Sequence, residues 1–266
     1  QGMLELRVPN VKQDQILPFW PKGGRDHGLG KWMTEKLSGI AFSDVHVDIP
    51  VQVGVKDGQF NFEVLSPRAR WAFDNLRADY LPPLIPVEQG KGTATYENDT
   101  LAIQISEGRI RDLTLKKDST VTMTELTKAG AGEAHLDVTL MGPLKTMTDY
   151  IRDEPIAMGH KIPFDTRTVS GTGAYHAVVS FPTLKDLPKD QVKAEVEATV
   201  DQVTLPNVVK GQTVSGGPFQ LVGRDGLITL SGQGQIKGRA LKLDWREPVT
   251  QVGGGPCTEG TIWVDT

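Results

Sequence analysis

The side chains with the most chemical potential in this sequence are Asp44, His46 and Asp48, within "SDVHVDIP". Spaced two apart, they share one face of an extended strand. A carboxylate–imidazole–carboxylate set of that kind could be offered to a metal ion. The plainer reading is a solvated strand face whose opposite side is buried. A β-rich hydrolase using the same three residues is a third possibility, with no substrate to recommend it. The other histidines, at 27, 135, 160 and 176, fall in separate segments without ligand spacing.

Other motifs lead no further. G-x-S-x-G, H-E-x-x-H, a Walker loop and paired C-x-x-C are all missing from the sequence. "GQGQIKG" (232–238) has the wrong glycine spacing for a dinucleotide loop and falls between strands rather than before a helix. Asn98-Asp99-Thr100 matches a glycosylation sequon, but an Asn-Asp turn between strands accounts for it. Cys257 is the single cysteine, in a Gly/Pro-rich tail, so no internal disulfide is possible. The expectation is therefore no catalytic residue, no metal and no cofactor: a protein that is not an enzyme.

Whole-chain properties agree with that expectation. The 266 residues suffice for one long domain or two smaller ones. Hydrophobic content of 38% and aromatic content of 6% are thin for a thick globular core, while 29 glycines and 17 prolines suit many strands joined by turns. A net charge of −4 with scattered basic residues argues against a nucleic-acid surface. The sequence shows neither an apolar run long enough to span a membrane nor a charged-then-apolar leader. Its strand-like opening, "QGMLELRVPN", suggests a fragment of a longer protein.

Strand signals dominate the elements that would carry any site. Val45, Val47, Ile49, Val51, Val53 and Val55 alternate with Asp44, His46, Asp48, Pro50 and Gln52. Further alternations are Phe60, Phe62 and Val64; Leu101, Ile103 and Ile105; and Ala134, Leu136, Val138 and Leu140. Val192, Ala194, Val196, Ala198 and Val200 follow, then "PFQLV", "GLITLSG" and "RALKLDW". Ile262, Trp263 and Val264 hint at one last strand. With Gly, Asn-Asp or Asp-Gly between them, these runs predict a long antiparallel meander.

Two segments read as helix. One is His27–Gly39, with Leu29, Trp32, Met33 and Leu37 near one face and Gly39 as C-cap. The other follows Pro143 and stops before Pro155, with Leu144, Met147, Tyr150 and Ile151 at helical spacing. A repeated hairpin layout links "GKGTATYENDTLAIQISEGRIRDLTL" with "VSGGPFQLVGRDGLITLSGQGQIKGRALKLDW". The Pro/Gly-rich stretch from Arg152 to Ser170 is the candidate boundary, giving segments 1–155 and 156–266, possibly one continuous domain.

Burying six Val/Ile side chains contributes about 10–15 kcal/mol, so the dry face of residues 45–55 must be covered. A packed β-sandwich, serving as a non-enzymatic scaffold or interaction domain of a cell-envelope assembly, is one answer. A sheet curled into an incompletely filled groove is the other.

Several stretches resemble a known family. "LPFWPKGGRDHGLGKWMTEKLSGIAFSDVHVDIPV" resembles an element of AsmA-like proteins of the YhdP and TamB group, carried by Trp20, Pro21, Trp32, Leu37, Gly39 and Val45. "ADYLPPLIPVEQGKGTATYENDTLAIQISEGRI" is similar to that family's Tyr…Pro-Pro…Gly segment, through Tyr80, Pro82, Pro83, Gly90 and Gly108. "LMGPLKTMTDYIRDEP" resembles its glycine–short helix–proline link, and "GQIKGRALKLDWRE" its closing strand. The resemblance spans roughly Leu17 to Glu247.

It implies a mostly β fold: a long twisted antiparallel sheet curled into a β-taco-like groove, with two or so short helices. It also implies phospholipid or another acyl-chain ligand as cargo between inner and outer membranes. The location would be periplasmic, in the soluble part of an inner-membrane-anchored protein. Partners would be neighbouring segments of the same longer chain or envelope proteins, with no nucleic acid and membrane contact only through regions outside this chain. On that reading Val45, Val47, Ile49, Val51, Val53, Val55, Leu101, Ile103, Ile105, Leu136, Val138, Leu140, Val196 and Val200 line the groove. Trp20, Trp32 and the helix after Gly28 cap an edge of the sheet.

Overall fold

The computed structural model describes residues 2–16, 31, 34–56, 59–128, 131–152, 156, 165–184, 187–209, 211–248 and 259–264. Alternating sequence becomes strand almost throughout. In chain order the elements are β1 (Gly2–Lys12), α1 (Gln13–Ile16), β2 (Leu37–Ser38), β3 (Ala41–Lys56), β4 (Gln59–Val64) and β5 (Arg68–Ala78). Then come β6 (Val87–Glu97), β7 (Thr100–Ile110), β8 (Leu113–Leu115), β9 (Ser119–Met123), β10 (Glu133–Pro143) and α2 (Leu144–Arg152). The chain continues through β11 (Ser170–Pro182), β12 (Lys193–Val209), β13 (Gln212–Arg224), β14 (Leu227–Ile236), β15 (Arg239–Pro248) and β16 (Glu259–Val264).

Among the described residues, all sixteen strands belong to one antiparallel sheet, in the order β1-β3-β5-β6-β7-β8-β10-β11-β12-β13-β14-β15-β16. Strand β2 flanks β5, β4 flanks β3, and β9 lies between β7 and β10 beside β8. Almost every neighbour is a sequence neighbour, as hairpin connections dictate. The sheet runs unbroken across the 152–170 stretch, because β10 and β11 pair from Glu133–Pro182 to Pro143–Thr172.

The sheet is curled, and its irregularities show how. Bulges interrupt β3 at Ser43/His46, β5 at Phe73/Leu76, β6–β7 between Glu88 and Gly92, β11 at Ser170/Thr172 and β13 at Gly216/Phe219. Asp44, Asn75, Gln89 and Gln202 take left-handed backbone there, with φ of 51°, 57°, 54° and 53°. Each extra residue increases local coiling, and bulges recurring on strand after strand bend the whole sheet.

The two expected helices fare differently. Helix α2 starts directly after Pro143, and Leu144, Met147 and Tyr150 face the core as expected. Of the span 27–39, Lys31, Thr34 and Glu35 are helical, while 27–30, 32 and 33 fall outside the described residues. The helix does not reach Gly39: Leu37 and Ser38 pair with Ala78 and Arg77 as β2. Gly39, at φ 72°, makes the turn into β3 instead of capping a helix. Strand pairing outcompetes helix propensity because the edge of β5 is otherwise open there.

Candidate functional site

Antiparallel partners share a face, so the register fixes which side each residue takes. One chain of partners runs Val47–Ala69–Tyr96–Leu101–Met123–Ala134–Phe181. The next runs Trp71–Ala94–Ile103–Val121–Leu136–Val179–Ala194. Two more are Val138–Ala177–Val196–Gly223–Ile228 and Leu140–Tyr175–Ala198–Leu221–Leu230–Trp245–Gly260. A last row joins Gly142, Gly173, Val200, Phe219, Gly232, Leu243 and Ile262. These rows cross the strands as continuous apolar lines and place eight of the candidate residues on one face; Val45, Ile49, Val51, Val53 and Ile105 share it by alternation along β3 and β7. Val55 pairs through its backbone with Phe60 in the β3–β4 hairpin.

The face is partly filled and partly open. Leu101, Leu140 and Val200 are buried in core clusters. Val45, Val47, Ile49, Val51, Ile103, Ile105, Leu136 and Val138 are half-buried, while Val196 is exposed and Val53 is 45% exposed. Beyond β5, the hairpin of β3 and β4 continues the same face: Val51 pairs with Val64, and Val64 is 62% exposed.

Sequence reading missed the aromatic share of this face. Phe42, Trp71, Phe73, Tyr96, Tyr175, Phe219 and Trp245 all belong to it. Three rings lie where a neighbouring residue has no side chain. A Cβ on Gly92 would come within 2.9 Å of the Phe73 ring, and one on Gly234 within 2.9 Å of Phe219. A Cβ on Gly173 would come within 3.0 Å of Tyr175 Cζ. Glycine thus serves as a seat for an aromatic ring. The signal was present in "RARWAFDN" and "GTATYE", whose alternation is short and diluted by alanine and threonine.

The opposite face is polar. His46 opposes Arg7 and Arg70, with Nδ1 3.5 Å from Arg70 Nη2, and Asp48 opposes Glu5 and Arg68. Asp44 is the bulge residue. Arginines beside His46 disfavour a cation there, and among the described residues no cluster of three potential ligands forms. His176 Nε2 lies 2.8 Å from Asp137 Oδ1, His135 Nδ1 lies 2.8 Å from Ser180 Oγ, and Arg224 pairs with Glu195 at 2.8 Å. All are cross-strand contacts on this solvated side. Two depressions of about 400 and 330 Å³ also open here, beside Thr114, Met141 and Thr172 and beside Ser43, Ala72 and Gln104.

Trp20, Gly28, Trp32, His27, His160 and Cys257 lie outside the described residues. Among the described residues, no helix is long and apolar enough to cross a membrane. No family model, curated protein or solved structure matches the chain.

Proposed function

We propose that this chain is a lipid-binding and lipid-conducting groove segment of a larger periplasmic AsmA-like protein, carrying phospholipid between inner and outer membranes. The observation that carries the reading is the set of apolar rows on one face of a single curled sheet. The longer rows each cross seven strands, and at about 4.8 Å between neighbours each gives an apolar line of about 30 Å. A chain lying along the rows would exchange one set of aliphatic contacts for an equivalent set at each step. Such movement needs neither a catalytic residue nor a cofactor. The sequence resemblance set out above supplies the family, the cargo class and the compartment.

Native mass spectrometry of protein purified without detergent, followed by solvent extraction, tests this. Co-purifying phospholipid is expected, and it should be lost in a Val47→Asp, Val51→Asp double variant that keeps its circular dichroism. Protein that is clean and ignores added fluorescent phospholipid would favour a second reading, a non-enzymatic β scaffold of an envelope assembly. The closure of Leu101, Leu113 and Leu140 by the protein's own side chains favours that alternative.

A further inference from the structure

Helix α2 and the segment 79–86 meet over one side of the apolar face. Leu144, Met147 and Tyr150 pack from α2 onto the cluster that contains Ile110, Leu113, Leu115 and Tyr175, and Ile85 joins it from the 79–86 segment. The Tyr80 and Tyr150 hydroxyls hydrogen-bond to each other, and Tyr80 also donates to the Ile85 carbonyl at 3.3 Å. Both phenols have their ionisation pushed up, chiefly by burial.

Two side-chain contacts tie the helix to residues outside it, and two ion pairs brace it internally. Thr146 Oγ1 lies 3.4 Å from Asp112 Oδ2, Lys145 and Arg152 pair with Asp149 at 2.6 and 3.0 Å, and Arg152 reaches Thr166 Oγ1 at 2.8 Å. Beneath it Leu113 is 0% exposed. On the other side of the bulges, Ile103, Val121, Leu136 and Val179 stay half-buried, and Ala194 and Val196 are exposed.

We propose that α2 and segment 79–86 form a fixed bar across the groove, clamped by Tyr80 and Tyr150, that confines an apolar ligand to one strip. The strip is the pair of rows through Ile103, Val121, Leu136 and Val179 and through Val138, Ala177 and Val196. Passing under the bar would require displacing the cluster around Leu113 and breaking the buried Tyr80–Tyr150 hydrogen bond. The proposal rests on the lipid-binding reading of this face.

The test uses unmodified protein incubated with vesicles of phosphatidylethanolamine and phosphatidylglycerol containing a phospholipid with a diazirine in its acyl chain. After irradiation, peptide mass spectrometry should find adducts on 101–105, 119–123, 134–138 and 177–181, and none on 110–115 or 144–152. Adducts on both sets overturn the bar and leave lipid binding standing. Adducts nowhere overturn the lipid reading, and this proposal with it. A Tyr80→Cys, Tyr150→Cys variant in a Cys257→Ser background, bridged by a short bismaleimide, should capture lipid as well bridged as unbridged. Capture lost on bridging would show a moving gate and overturn a fixed bar.

Discussion

Glycine and aromatic residues act as pairs on the apolar face. At Gly92 a Cβ would meet the Gln104 carbonyl oxygen and the Phe73 ring; at Gly232 it would lie 2.5 Å from Phe219 Cδ1. Gly54, in the β3–β4 hairpin, has nothing within 4 Å. Gly92→Ala and Gly232→Ala should therefore each destabilise by about 1–3 kcal/mol, while Gly54→Ala should be neutral or stabilise by about 0.5–1 kcal/mol. Urea unfolding midpoints of the three variants check this ordering. The tyrosines make a second residue-scale prediction. Burial above all raises the ionisation of Tyr80, Tyr96, Tyr150 and Tyr175 above the free phenol's. A raised folded-state value means stability is fully present below the unfolded phenol's pKa of about 10 and falls as pH climbs above it. Unfolding midpoints should drop in that alkaline window, and phenolate absorbance should rise together with unfolding rather than before it.

At the scale of elements, two closures cover parts of the face that strands alone leave open. One is α2 together with segment 79–86. The other is the turn after β9, tied to the β6–β7 hairpin by Asp99, whose carboxylate accepts from Thr127 N at 3.0 Å and Thr127 Oγ1 at 2.7 Å. Leu126 thereby packs into the cluster that buries Leu101. Asp99→Ala should cost about 1–3 kcal/mol and speed amide exchange in 124–128, with little change near α2. Leu113→Ala, at a site with no exposure, should cost more, about 3–5 kcal/mol by denaturant unfolding. Leu6, 53% exposed on edge strand β1, should tolerate the same truncation within about 1 kcal/mol.

For the whole molecule, apolar face and polar face carry different weights. The ion pairs of the outer face are largely exposed, as with Arg224 and Glu195 at 53% and 51%. Such pairs contribute about 0–1 kcal/mol each and are screened by salt. Thermal stability should consequently change little between low salt and about 1 M sodium chloride, where the screening length falls to about 3 Å. A steep salt dependence in a calorimetric scan would mean that charge, rather than the apolar rows, holds the sheet in its curl.

The alternation of Val45 to Val55, of Leu101 to Ile105 and of Leu136 to Leu140 was enough to specify strands, the side on which their apolar residues gather and an antiparallel meander. Side chains two apart must share a side of a pleated chain whatever surrounds it. Helix α2 was equally legible from Pro143 and the spacing of Leu144, Met147 and Tyr150. Which strands neighbour one another, and so which dry faces join into one, was decided only in three dimensions, because pairing is a contact between distant segments. Tertiary structure alone also turned Leu37 and Ser38 from helix into strand and made Asp44, Asn75 and Gln89 the bends of the sheet. It seated Phe73 on Gly92 and brought Tyr80 to Tyr150. Each depends on the space a partner leaves, and no local pattern encodes that space.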